Sequence, residues 1–226
     1  MNYTVKTSEL YDLSHTAAGA LLERCEYPWQ ALSQIGAFIK ELIPTLGADY
    51  VKLADDVYVH KTAKIHRSAD ISGPCVIGAD TEVRPSAFIR GNALIGSGCV
   101  IGNSCEVKNA IIFDKSQVPH FNYVGDSILG YHAHMGAGAV TSNVKSDNSD
   151  VVIKCCGETL PTGRRKVGAF LGDNAEIGCN SVLNPGTVVG RGARVYPLSM
   201  VRGVAPAHSI YKKAGEIVEI RDCAVN

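Results

Sequence analysis

The sequence predicts a mainly β, parallel β-helix solenoid preceded by a short helical segment. Three observations carry this expectation. From Val59 a β-branched aliphatic residue recurs every six positions, at Val59, Ile65, Ile71, Ile77, Val83, Ile89, Ile95, Ile101 and Val107. Four residues after each of the first eight stands a small one: Ala63, Ala69, Cys75, Thr81, Ala87, Ala93, Cys99 and Cys105. The composition agrees, with 23 Gly, 7% aromatics and a single Trp in 226 residues, so the core is built from Val, Ile and small side chains among many special turns. A unit of six is too short for a helix and too long for simple strand alternation. It suits a short strand and a tight turn that needs a small interior residue. Three units close a triangular coil of eighteen residues, and the coils stack on one another.

In chain order, residues 1–55 lack the period and show helical patterning instead, in AAGALLERC and PWQALSQIGAFIKELIPTL. Pro28 suits a first helical turn and Pro44 limits the next helix. This segment is expected as a cap over the open lower end of the solenoid, where backbone and apolar side chains would otherwise be bare. The solenoid itself is expected over 56–211. Its register slips between Val107 and Tyr123, which predicts a loop bulging out near 109–122. The period then resumes at Tyr123, Leu129, Met135 and Thr141. A second break holds KSDNSD, the strand-like VVIKCC, the turn GETLPTG and the basic GRRK, and reads as a hairpin excursion over 144–168. The last block is clean, with Leu171, Ile177, Leu183, Val189, Val195 and Val201 each followed four residues later by Ala175, Ser181, Thr187, Ala193, Ser199 and Ala205. Residues 212–226 are left as a C-terminal tail.

Lys+Arg 22 against Asp+Glu 22 leaves no net charge, which argues against gripping nucleic acid or a membrane surface by bulk positive charge. Any anion must be met by a local cluster. No run of about 18 apolar residues is present, and MNYTVKTSELYDLSH has no apolar h-region, so the expected compartment is the cytoplasm. The eight cysteines then read as reduced thiols. Cys75, Cys99 and Cys105 fill the small interior slot, while Cys155 and Cys156 are adjacent and fit neither zinc nor disulfide spacing. No metal is expected.

Coil geometry places residues eighteen apart above one another. Arg90 and Lys108 therefore stack on one corner, two cations with no acid between them, and a phosphate would bridge such a pair. The competing reading is a pair of solvated corner residues, as with the similar column of His66 and Arg84. The segment QVPHFNYVGDS supplies His120 on a loop, with Tyr123 at the re-entry into the coil. Imidazole exchanges protons near neutral pH, so His120 is a candidate general base. YHAHMGAGAVTSN then brings His132, His134 and Asn143, and its GAG lets a ligand approach the backbone closely.

HFNYVGDSILGYHAHMGAGAVTSN, preceded by GNSCEVKNA and followed by GRRKVGAFLGD and YPLSMV, resembles the acetyltransferase half of the bifunctional sugar-1-phosphate nucleotidylyltransferase/glucosamine-1-phosphate N-acetyltransferase family. The resemblance covers about residues 55–211. It implies a left-handed parallel β-helix of hexapeptide repeats, assembled as a homotrimer with acetyl-CoA bound between subunits. It also implies acyl transfer to the amine of an amino-sugar phosphate, with no covalent enzyme intermediate. By position, His120 matches the base, Tyr123 and Asn143 match sugar-site residues, and Arg90 and Lys108 match the pair that holds the sugar phosphate. Ala137 matches a position whose backbone lines the thioester, and Cys179 falls where a small residue faces the coenzyme. Arg164, Arg165 and Lys166 of the GRRK stretch are candidates for a coenzyme phosphate or for a partner's acidic surface. The family's lysine shortly after the Asn is not assigned by spacing to Lys145, Lys154 or Lys166. No stretch of these residues resembles the nucleotidylyltransferase half, so a pyrophosphorylase activity is not expected of them.

Two other functions stay open on the sequence. A γ-carbonic-anhydrase-like enzyme would bind zinc through His120, His132 and His134, although His132 and His134, two apart on a strand, point to opposite faces. A non-catalytic interaction or sugar-nucleotide-sensing module would keep the solenoid without the chemistry.

Overall fold

The computed structural model describes residues 5–220. The expected mainly β, left-handed parallel β-helix is the fold. Short strands stack in parallel into three columns that form the faces of a prism. The first face runs through Val57–His60, Cys75–Ile77, Ala93–Ile95 and onward to Ala169–Leu171, Thr187–Val189 and Val204–Ala205. The second runs from Lys64–Ile65 through Glu82–Val83, Val100–Asn103, Gln117–His120 and His134–Met135 to Glu176–Ile177 and Arg194–Val195. The third runs from Asp70–Ile71 and Phe88–Ile89 to Val140–Thr141, Val182–Leu183 and Met200–Val201. The aliphatic residues of the period and their small partners fill the interior, as expected. Cys75, Cys99 and Cys105 are among them. The corners are left-handed backbone: Asp80, Ser86, Asn92, Ser104, Asn174 and Asn180 all have positive φ, each three residues after an inward aliphatic. The short polar side chains Asp and Asn tolerate this conformation best.

The bulge expected at 109–122 is absent. Residues Glu106–Ile112 and Gln117–His120 are strands within the solenoid, and Ile112 and Val118 are fully buried in its interior. The register slip is absorbed by two sides of five residues instead of six, Val107 to Ile112 and Val124 to Leu129. Pairing shows it directly, since Ile77 faces Ile95 at a separation of eighteen while Val107 faces Val124 at seventeen. At both short corners the left-handed residue arrives one position early, as Asn109 and Asp126. The inward residue is therefore Val124, and Tyr123 belongs to the outer surface of the third face.

The segment ahead of the solenoid forms helices Thr7–Leu10, Gly19–Leu22 and Ile35–Leu42, joined by 3-10 turns that include Pro28–Ala31. Gln30 caps the last of these, its Oε1 accepting from the Tyr27 amide at 2.9 Å. The segment lies along the first face, not over the lower end. The outward residues of that face are apolar, namely Val76, Leu94, Ile111, Ile128, Phe170, Val188 and Val204, and they share one buried cluster with Leu10, Tyr11, Leu22, Trp29, Leu32, Ile35 and Ile39. Tyr11 packs on Phe113 at 5.1 Å and Trp29 on Phe170 at 5.9 Å. Burying a side chain of this size contributes roughly 1.5–3 kcal/mol, so an uncovered face would cost more than an uncovered end. At the lower end Ala63, Ile65, Ala69 and Ile71 stay only partly buried.

The excursion at 144–168 is a hairpin, Val151–Cys155 antiparallel to Glu158–Arg164, closed at its base by the Val144–Lys166 bridge. Its Val151 and Ile153 join the apolar cluster on the first face. In the stretch read as a tail, Glu216–Glu219 pairs antiparallel with Ser209–Lys213, and residues 221–226 lie outside the described chain.

Candidate functional site

The third face and its two corners hold most of the residues singled out in the sequence. Its outward column reads Asp70, Phe88, Glu106, Tyr123, Val140, Val182 and Met200. The next column, at the corner with the first face, contains Arg90, Lys108 and Gly125. Phe88 pairs with Glu106 and Ile89 with Val107, so Arg90 and Lys108 do stack one coil apart.

They are not bare cations, however. Arg90 Nη1 donates to Glu106 Oε1 at 2.7 Å, and Lys108 Nζ lies 3.5 Å from Asp126 Oδ2. The expectation of two cations with no acid beside them is corrected. Glu106 stands on the adjacent outward column, and Asp126 reaches the corner because the coil there is one residue short. The Glu106 hydrogen bond and charge raise the affinity of the Arg90 guanidinium for its proton.

Asp126 is the buried centre of the corner, only 3% exposed. Its Oδ1 accepts from Asn109 Nδ2 at 2.8 Å and its Oδ2 from Asn143 Nδ2 at 2.6 Å. The same Asn143 amide donates to the Tyr123 hydroxyl at 3.2 Å. Tyr123 lies back over Gly125, where a Cβ would collide with its ring and hydroxyl. Burial, followed by the charges of Asp126 and Glu106, pushes the Tyr123 phenol up, so it stays a neutral donor. Asn143 and Tyr123 thus belong to one hydrogen-bonded group. Asp126, Asn109 and Glu106 were missed, although GD after YV at a register slip could have pointed to the first.

The opposite corner of this face carries His120, Ala137 and Cys179. His120 ends the strand Gln117–His120 and is exposed, so it is a strand-end residue and not part of a free loop. Its carbonyl accepts from the Gly138 amide at 3.0 Å, and the Ala137 carbonyl accepts from the Asn180 amide at 2.8 Å. These bonds stack His120, Ala137 and Cys179 up one edge, with Tyr123 between that edge and the Arg90–Lys108 corner. Cys179 is exposed, as is Phe121 at 65%.

Arg164, Arg165 and Lys166 do not join the Ala137–Cys179 edge within one chain. They leave the hairpin beside Asn143, across the face, with Lys166 bridged to Val144. His120, His132 and His134 also do not converge, since His132 sits in a left-handed turn and His134 faces outward on the second face. Among the described residues no group of three His, Cys, Asp or Glu side chains is placed to hold a metal ion.

The molecule is thus a β-helix of hexapeptide turns with a polar, hydrogen-bonded corner on one face and a histidine at the other edge of it. Comparison with known proteins gives this class its relatives. Residues 71–157 match the family model described as the GMPPB C-terminal domain. The bifunctional sugar-1-phosphate nucleotidylyltransferase/acetyltransferase of Sulfurisphaera tokodaii is 37% identical over 94 residues, 42% of this chain and 23% of that protein. The bifunctional protein GlmU of Methanococcus maripaludis is 32% identical over 111 residues, 49% of this chain and 27% of that one. The chain spans about a quarter of the length of these relatives. Among solved structures, perosamine N-acetyltransferase from Caulobacter crescentus in complex with CoA and GDP-perosamine is 16% identical with a TM-score of 0.35, over 66% of this chain and 52% of that one. The acetyltransferase domain of PglB from Neisseria gonorrhoeae, in complex with acetyl coenzyme A, is 18% identical with a TM-score of 0.34, over 84% and 67%. By the family model and these curated relatives, the solenoid is similar to the acetyltransferase half of the bifunctional sugar-1-phosphate nucleotidylyltransferases. Among the described residues no helix is long and apolar enough to cross a membrane.

Proposed function

We propose that the protein is a hexapeptide-repeat N-acetyltransferase that moves an acetyl group from acetyl-CoA to the amine of an amino-sugar phosphate, in the cytoplasm and as a homotrimer. The observation that carries this reading is the third face, with stacked cations at one edge, Tyr123 and Asn143 beside them, and an exposed histidine at the other. A sugar phosphate fits this order, its anion at Arg90 and Lys108 and its amine toward His120. The carboxylates do not block the anion. Arg90 spends one donor on Glu106 and has others left, and an ammonium has three donors, of which Asp126 needs one.

In the chemical step the amine nitrogen attacks the thioester carbonyl, the N–C bond forms, and the C–S bond breaks as the tetrahedral adduct collapses. The amine proton passes to the His120 imidazole and from there to the departing thiolate. The Ala137 edge, stacked directly above His120, is where backbone would line the thioester. Positioning contributes as much as the base, because it turns a bimolecular encounter into a reaction within one complex. The exposed apolar residues Val182, Met200 and Leu198 on the same face and edge support assembly there.

The test is thiol release from acetyl-CoA with glucosamine 1-phosphate, galactosamine 1-phosphate and related amines. Wild-type protein releases thiol with at least one of them, and His120→Ala loses about 10²–10⁴-fold, the usual contribution of a positioned base. Release that is unchanged in His120→Ala overturns the mechanism. A binding-only module is the second reading, favoured by the carboxylate already paired with each cation. It is established if the sugar phosphate binds and no amine gives release.

A further inference from the structure

The corner at Lys108 is joined to the N-terminal helical segment by a chain of buried hydrogen bonds. Asn109 Nδ2 donates both to Asp126 Oδ1, at 2.8 Å, and to the backbone carbonyl of Leu32, at 3.2 Å. Asp126 in turn faces Lys108 Nζ and accepts from Asn143 Nδ2. One carboxylate therefore fixes two residues of the proposed acceptor site, and one amide ties that carboxylate to a turn of another element 77 residues earlier. Nothing in the coil period requires the link. It exists because the five-residue sides put Asn109 and Asp126 in register at the short corner, and because Leu32 is pressed on the first face beside it.

We propose that Asn109 and Asp126 are positioning residues for the sugar-phosphate acceptor, and that the helical segment is a working part of that site through Leu32. The inference rests on the acceptor reading above and deepens it. Asp126 Oδ2 holds both Lys108 Nζ and Asn143 Nδ2, so that the cation and the amide meet the ligand already placed. Asn109 donates to the other oxygen, Oδ1, and keeps the carboxylate from rotating Oδ2 away from Lys108 and Asn143. Losing an ordered partner of this kind does not remove a ligand contact. It leaves two ligand-contacting groups free to wander, which weakens binding of the acceptor and leaves the coenzyme edge at Ala137 and Cys179 untouched.

The experiment compares wild-type protein with Asn109→Ala and Asp126→Asn, full chains in each case. Binding of glucosamine 1-phosphate and of acetyl-CoA is measured by calorimetry, and thiol release is followed with the same sugar phosphate. The expected result is a dissociation constant for the sugar phosphate raised about 5–30-fold in both variants, the effect of one or two buried hydrogen bonds. The acetyl-CoA constant stays unchanged, and where turnover is seen its loss lies in KM and not in kcat. Asp126→Glu recovers part of the affinity. A merely structural role would lower the melting temperature and move neither constant selectively, or move both together, and either outcome overturns the inference. Should Asp126→Asn fail to fold, Asn109→Ala carries the comparison, because it deletes donors and leaves no buried charge unpaired. Wild-type binding without turnover defeats the acyltransferase reading and leaves this one standing, whereas wild-type protein that does not bind the sugar phosphate defeats both.

Discussion

Cys75 and Cys99 illustrate what one atom type does in the interior slot. Burial pushes both thiols up to about 12 from an ordinary 9.0. Below pH 9 the folded and unfolded chains both hold these protons, so pH has no effect through them. Between 9 and 12 the unfolded chain releases them while the folded chain does not, so stability is lost as pH rises, by up to about 1.4 kcal/mol per pH unit for each thiol. Thermal melts should therefore show a falling Tm above pH 9, and Cys75→Ala or Cys99→Ala should flatten that limb relative to wild type. An alkaline limb of equal slope in wild type and variants would count against it. The thiols' placement was legible in the sequence, because an interior slot four residues after an aliphatic is a local property. Their partners were not, since the Cys99 Sγ contact with the Phe113 carbonyl at 3.0 Å joins residues fourteen apart on different sides of the coil.

The helical segment is the element whose place the sequence mistook. Its helical patterning predicts a cap over the lower end, but the surface it covers is the outward side of the first face. The reason is visible in hindsight at Val76, Leu94, Ile111, Ile128, Phe170 and Val188, where a side chain that ought to be solvated is apolar in coil after coil. Trp29 is 3% exposed in this layer and stacks on Tyr27 at 4.6 Å. Trp29→Ala should cost about 3–5 kcal/mol, the usual loss for a large buried aromatic. Its signature should be binding of an apolar dye to the bared first face before the solenoid itself melts. Two coincident transitions, or a variant as stable as wild type, would show that the segment is not held this way. The hairpin at 144–168 shares this layer through Val151 and Ile153. A glycine at 186 is required beneath it, since a Cβ there would stand 2.8 Å from Val151 Cγ1.

For the molecule as a whole, three faces have three surfaces. The first is covered by the chain's own helices, the second is mixed and charged with Lys64, Glu82, Glu176 and Arg194, and the third carries both the candidate site and exposed apolar residues. Leu198 is 79% and Met200 57% exposed, and neither contributes to the core. Contiguous exposed apolar residues next to a ligand site are the usual mark of an interface. On the trimer reading, wild-type protein should scatter light with a mass three times 24.0 kDa. Met200→Glu should move it toward the single-chain mass and reduce thiol release, because an unpaired charge is costly to desolvate in an apolar interface. A single-chain mass for wild-type protein at micromolar concentration would remove the shared-site model.

The sequence by itself determined the repeat, the inward and outward sense of nearly every strand residue, the interior cysteines, the hairpin, and the stacking of Arg90 over Lys108. All of these follow from a six-residue geometry that each unit satisfies alone and passes to the next. Only the tertiary structure decided that the slip after Val107 is two shortened sides and not a loop, that each cation has a carboxylate beside it, and that Asp126, Asn109 and Leu32 meet at the corner. Those depend on which residues of different coils and of a distant helical turn come within hydrogen-bonding distance. Period alone cannot specify this, because a one-residue change in coil length alters every neighbour across the face.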